Sequence, residues 1–326
     1  MVITFNASVT RFKSFIILGF PGLSPQYYGP VTAVLTLVYL TIVIGNISIL
    51  AIVVSERSLQ KPTYLVFCHL ALNDLTFGTV TLPKIISKYW FGDSLISFSG
   101  CFTQMFFIHY LGAVMSFMLS IMALDRFIAI CFPLHHRVLI TNSTISVLCG
   151  IAWLIPVSVL LVVLPKTIDL PFCRSNVITQ CFCDHISITS QACGNDVQHV
   201  QVITLCLAML SLLLPLAFIL FSYVFVIVVI MKMSNNAGRK RAFSTCSSQI
   251  FITCLFYLPR CFVYVANTVG FSFSLDFRIL LVLLYSLLPA AVNPFIYCFK
   301  TQDIKKTLLR KLKRTKIGIE IKIWTS

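Results

Sequence analysis

The sequence predicts an all-α membrane fold: a bundle of seven transmembrane helices with a short amphipathic eighth helix. Three observations carry this. Of 326 residues, 58% are hydrophobic and only 11% charged, with a mean hydropathy of +0.93, more apolar surface than a soluble domain covers. Seven apolar stretches, 30–54, 62–86, 101–130, 144–164, 197–231, 241–267 and 277–299, reach the roughly 20 residues a helix needs to cross a bilayer. The short alternating segments of a membrane β-barrel are absent.

An odd number of spans puts the termini on opposite sides. With the N-terminus outside, the inner loops and tail hold 17 of the 25 Lys and Arg residues, among them Arg57, Lys61, Arg137, Lys232, Arg239, Lys240 and Arg241. Cationic loops stay cytoplasmic, so this orientation is favoured. The net charge of +15 therefore reads as topology. Nucleic acid is a poor partner, because the basic residues gather on no soluble domain. The organisation expected is an extracellular segment 1–29, a membrane domain 30–299 and a cytoplasmic tail 300–326 of a multi-pass plasma-membrane protein. Residues 1–29 lack a positive region followed by an apolar core, so the first helix is expected to act as the insertion signal. Asn6, in "NAS", is a glycosylation sequon on the outer side.

In "KTQDIKKTLLRKLKRTK" (300–316), Ile304, Leu308, Leu309 and Leu312 recur at helical spacing on a cationic background. Such a helix is expected to lie on anionic lipid of the inner leaflet. Five of the 13 cysteines fall at the outer end of the third stretch or in the long loop 165–196: Cys101, Cys173, Cys181, Cys183 and Cys193. That side is oxidising, so disulfides are expected, and five leaves one thiol over.

Charges inside a membrane helix are costly and need a reason. Asp74 in "LALNDLTFG" is one. Asn46 and Asn293 are polar residues of two other helices, and Pro294 beside Asn293 weakens its helix. A hydrogen-bonded knot gluing helices together and a polar switch core both fit. Asp125 and Arg126 interrupt the run "MALDRFIAIC" about 24 residues past Cys101, roughly 36 Å along a helix. That depth is the inner interface, where an ion pair costs less. There it reads either as an interfacial pair or as part of a switch.

These residues carry a family resemblance. "MALDRFIAICFPLHH" resembles the "MAYDRYVAICxPLxY" signature of vertebrate odorant receptors, within the rhodopsin-like G-protein-coupled receptors. "KPTYLVFCHLALNDL" (61–75), Ser222–Tyr223, "RAFSTCSSQ" (241–249) and "LLPAAVNPFIYCF" (287–299) match its other motifs in order. The likeness runs from about Ile44 to Lys300, and "GFPGL" (19–23) looks like the fish-like class I branch. The resemblance implies a receptor that binds a small-molecule odorant from outside and activates a heterotrimeric stimulatory G protein to raise cAMP. It implies that Asp125 holds Arg126 at rest and that Tyr223 and Tyr297 rearrange around Arg126 on activation. Asp74, Arg241, Asn293 and Pro294 complete the switch and coupling set. It also implies the pairs Cys101–Cys183 and Cys173–Cys193. Departures are Phe127 for the usual Tyr, Gln249 for the usual His, and Met115 where many relatives place a polar sodium ligand, which argues against sodium at Asp74.

By the same correspondence the ligand site takes Ile108, His109, Gly112 and Ala113 from the third helix. Leu207 and Ser211 come from the fifth, Tyr257, Arg260 and Tyr264 from the sixth, Leu283 and Ser286 from the seventh, with His185 assisting from the loop. Most are apolar or small, which suits a small hydrophobic ligand. Arg260 either snorkels to the outer headgroups or anchors an acidic ligand. No cofactor or metal is expected. His135 and His136 are adjacent and diverge on a helix, and 277–299 has no Schiff-base lysine. HExxH, GxSxG and phosphate-loop patterns are missing, which argues against an enzyme. Missing internal repeats argue against a transporter. A receptor for a non-odorant metabolite outside the olfactory epithelium is the alternative left open.

Overall fold

A computed structural model describes residues 12–268, 271, 273–300 and 303–310, apart from the side chains of 241, 245, 264, 267, 268, 299 and 300. The long helices are α1 (Tyr28–Ser55), α2 (Pro62–Phe91), α3 (Phe98–Cys131), α5 (Asn142–Ile168), α7 (Asp196–Lys232), α8 (Asn236–Thr268) and α9 (Leu275–Lys300). All seven include a stretch long and apolar enough to cross a membrane. Two short helices, α4 (Pro133–Leu139) and α6 (His185–Thr189), lie in the connections.

Local chemistry sets the ends. Pro62 starts α2, where its missing N–H costs nothing. Gly92 ends it at φ 72°, a conformation that suits glycine. Ser97 caps α3 by accepting from the Gly100 N–H at 3.1 Å. Leu, Val, Ile and Phe stand exposed all along the outer helix faces, including Leu37, Val54, Leu154, Leu161, Leu214 and Val224. Such a surface belongs against lipid.

The all-α expectation acquires one addition, a small three-stranded sheet. Strand β1 (Ser14–Ile17) lies between β2 (Leu95–Ser97), antiparallel, and β3 (Val177–Ile178), parallel. It brings residues 14–17, the α2–α3 turn and the 169–195 loop to one end of the bundle. Both cysteine pairs are there, Cys101–Cys183 with Cα atoms 5.4 Å apart and Cys173–Cys193 at 5.9 Å. We call this the disulfide end. Cys181 is the thiol left over. Burial pushes it up to about 12, so it stays an inert thiol. At the opposite end, residues 303–310 are helical, with Ile304 buried and Arg310 bonded to Glu56 at 2.7 Å. The rest of the expected eighth helix lies outside the described residues, as does Asn6.

Candidate functional site

The site has three levels along the bundle axis. At the disulfide end a cavity of about 210 Å³ sits between the helices beneath the loop. Ile108, His109, Gly112 and Ala113 line one wall, all on one face of α3. Ser211, Arg260, Ser286 and His185 line others. Three residues of the sequence-based set do not line it. Thr204, Ala208 and Ser211 present the cavity face of α7, and Leu207 is rotated off it. Leu283 is buried in the apolar cluster that includes Leu35, Ile42 and Leu82, while its neighbours Val282 and Ser286 face the cavity. Tyr257 is buried away from the cavity, its hydroxyl bonded to that of Ser116. The Tyr264 side chain lies outside the described residues.

Arg260 does not extend to the headgroups. Its guanidinium stacks 3.9 Å from the Phe256 ring centre and 4.8 Å from that of Tyr285, and donates to the Phe256 carbonyl at 2.9 Å. Aromatic faces hold a guanidinium in place through its flat face. His185 is buried, with Nε2 3.1 Å from Thr167 Oγ1, and its backbone N–H reaches His109 Nε2 at 3.4 Å. Burial pulls His185 down to about 3, so its ring is neutral at physiological pH. Sequence reasoning missed Gln180, Asp184, Thr204 and Arg278, which also line the cavity.

At mid-bundle, Asn293 Nδ2 donates to Asp74 Oδ2 at 2.8 Å. Asn46 Nδ2 donates to the Ala290 carbonyl at 3.1 Å. Pro294, four residues on, lacks the N–H that would otherwise bond that carbonyl, so Asn46 fills the gap Pro294 leaves. Gly45 permits the approach: a Cβ there would stand 3.0 Å from the proline ring. The polar residues are thus a hydrogen-bonded knot around a weakened helix.

At the far end Asp125, 2% exposed, is the hub. It holds Arg126 Nη2 at 2.7 Å, the Thr63 hydroxyl at 3.1 Å and His136 Nε2 at 2.9 Å. Arg126 also donates to Thr63 at 3.3 Å. Thr63 and His136 were not foreseen as partners. His136 stands where the quoted signature has Tyr, which was the available signal. Tyr223 and Tyr297 are buried close by, and neither hydroxyl has a partner among the described residues. Gln249 reaches the Leu119 carbonyl of α3 at 3.5 Å. Phe127 packs edge-on against Phe132 and Phe225. A cleft of about 890 Å³, lined by Arg126, Tyr64, Tyr297, Gln249 and Lys240, opens here. The Arg241 side chain lies outside the described residues.

A cavity under a braced loop, a polar knot and a clasped arginine over a cleft define a seven-helix membrane receptor. A family model described as olfactory receptor matches residues 35–315. Olfactory receptor 2AT4 of Homo sapiens is 35% identical over 94% of this chain and 94% of its own length. Olfactory receptor 51E2 of Homo sapiens is 36% identical over 92% of this chain and 93% of its own, and Olfactory receptor 52K1 of Homo sapiens 33% identical over 95% and 98%. This chain belongs to the olfactory receptor family of G-protein-coupled receptors, multi-pass plasma-membrane proteins that are receptors and not enzymes.

Proposed function

We propose that this chain is an odorant receptor that binds a small molecule from the extracellular side and activates a stimulatory, olfactory-type G protein to raise cAMP. The observation that carries the reading is the pairing, in a chain of this family, of a cavity at one end with Arg126 clasped by Asp125 at the other. The disulfide end, with segment 1–29 and Asn6, faces outside. The Lys- and Arg-rich end faces the cytosol, and the tail helix rests there on anionic lipid.

A ligand in the cavity favours the bundle arrangement that binds it better. In that arrangement α8 moves outward, Asp125 releases Arg126, and the cleft widens for the G protein. The unpartnered hydroxyls of Tyr223 and Tyr297 are ready acceptors for the freed arginine. Pro294 supplies the flexible point, and the Asp74–Asn293 bond ties it to α2. Arg241 supplies positive charge at the mouth. Arg260 is the polar anchor, and a guanidinium held edge-on suits a carboxylate.

The test is a cAMP reporter in cells displaying the receptor, with a panel of acids, amines, alcohols and aldehydes. Arg126→Ala should abolish the response with display retained. Arg260→Ala should lower potency for acids by tenfold or more, the scale of one charge-assisted hydrogen bond. Unchanged acid potency in a displayed Arg260→Ala variant rejects the anchor. A full response from Arg126→Ala rejects the switch.

A further inference from the structure

Three buried oxygens on the cavity residues have no hydrogen-bond partner among the described residues: Gln180 Oε1, Asp184 Oδ1 and Thr204 Oγ1. Buried polar atoms of native proteins are nearly always paired, so each orphan needs an explanation. The surrounding loop obeys the rule. Gln104 accepts from the Cys183 N–H at 2.9 Å and donates to the Val80 carbonyl at 2.9 Å. Thr189 accepts from Gln201 at 2.9 Å. These three exceptions share one location, the cavity wall; seven other unpaired buried atoms among the described residues, Asn73 Oδ1 and Thr253 Oγ1 among them, lie on residues that do not line it.

Two of the three are pure acceptors, and the third is a hydroxyl that can accept. Gln180 is 4% exposed, so bulk water does not serve it. Asp184 uses one oxygen to cap α6, accepting from the Ser187 N–H at 3.4 Å, and leaves the other unused. The charged or titratable groups facing it are His109 of α3 and Arg278 of α9; neither forms an ion pair with it. His185, its chain neighbour, is committed to Thr167. Burial raises the Asp184 carboxyl, the mark of a charge that lacks full compensation. Arg260 and Arg278 line the cavity too, yet neither bonds these three atoms; the open acceptors suit a donor-rich group, and an ammonium brings three N–H bonds and a positive charge.

Arg260 lines the same cavity. One small space thus holds a carboxylate oxygen without a hydrogen-bond partner among the described residues and two guanidinium groups, those of Arg260 and Arg278. We propose that the ligand is amphoteric, of the amino acid class, with an ammonium group donating to Asp184 and Gln180 and a carboxylate directed to Arg260. The proposal rests on reading this cavity as the odorant site, and it narrows the ligand class from acids to amino acids.

The test compares straight-chain amino acids, carrying the ammonium on the α carbon or at the chain end, with their parent acids and parent amines in the cAMP reporter. At least one amino acid should exceed its parent acid in potency by about tenfold. Asp184→Asn should erase that gain, read as the ratio of the amino acid's potency to the parent acid's in the same variant. Asn caps a helix as well as Asp does, so α6 is preserved, and surface labelling checks display. Gln180→Leu, which removes one acceptor at similar volume, should reduce the gain several-fold. A gain that survives Asp184→Asn, or acids that outperform every amino acid, overturns the proposal alone. Silence to acids and amino acids alike from a displayed receptor overturns the underlying reading with it.

Discussion

The two ends of this bundle are held by different chemistry. At the disulfide end, Cys101–Cys183 bonds α3 to the loop, Cys173–Cys193 closes the loop on itself, and β1 pairs with both β2 and β3. Phe15, Phe98, Phe102 and Phe172 pack beneath that brace. At the opposite end no disulfide joins the described residues, and apolar packing is supplemented by hydrogen bonds and ion pairs: Asp125 with Arg126, Thr63 and His136, Tyr64 with Asp303 at 3.0 Å, and Arg310 with Glu56. A covalent frame fixes the shape of a cavity. A set of bonds worth about 1–3 kcal/mol each can be exchanged for another set. Recognition needs the first property and switching the second, and on the function proposed above the chain separates them along its length.

The sharpest way to break the comparison is to remove the frame. Cys101→Ser should destabilise the folded receptor by about 2–5 kcal/mol and abolish most surface display. Cys173→Ser should cost about 1 kcal/mol less, because its pair encloses a separation of 20 residues against 82 for the first. Surface labelling of intact cells measures both. Wild-type display of Cys101→Ser would mean that the strands and aromatic packing hold this end without the bond.

The same contrast governs what the sequence makes legible. The seven spans stand out because membrane helices obey a one-dimensional rule of length and hydropathy, and Pro62 lies at the first position of both the expected and the observed second helix. Asp125–Arg126 is visible for a related reason, as a charge pair in an apolar run. Thr63 and His136 are not, since they reach Asp125 from 62 and 11 residues away and a lone hydroxyl or imidazole carries no mark of its partner. Strand β1 is hidden likewise. "SFII" has no partner nearby in sequence and pairs only once α3 and the loop are in place. In the cavity, 108, 109, 112 and 113 follow helical spacing onto one face. Leu207 and Leu283 miss because the rotation of α7 and α9 is set by packing, which spacing does not encode.

A smaller perturbation loosens the switching end. Asp125→Asn removes the charge from the hub and leaves Arg126 without its ion pair. A charge-assisted bond is worth about 1.5–3 kcal/mol, so ligand-free cAMP should rise roughly tenfold if the resting state depends on it. His136→Phe removes one of the hub's bonds and spares the Arg126 pair, so its rise should be about two- to fivefold. The graded order is the prediction. Basal cAMP at the wild-type level in a displayed Asp125→Asn variant would show that the resting bundle is held by packing rather than by this pair.

The smallest effect separates the ends by pH. His185 is neutral in the folded loop, with burial holding it down to about 3, whereas an unfolded histidine titrates near 6.5. Between those values the unfolded chain binds a proton that the folded loop refuses. Its contribution is therefore fully present above about pH 6.5 and declines by up to about 1.4 kcal/mol for each pH unit below it, down to about pH 3. Asp184 acts in the opposite sense, because burial raises its carboxyl and the folded form takes up a proton first. The pH profile of the wild type alone mixes the two. His185→Gln isolates the histidine, since an amide keeps a hydrogen-bonding group toward Thr167 and does not titrate. In detergent, the melting temperature of the wild type should fall relative to that of His185→Gln as pH drops from about 7 to about 5. Parallel profiles would mean that the imidazole gains its proton without opening the loop, and the disulfide end would then be less closed than its covalent frame implies.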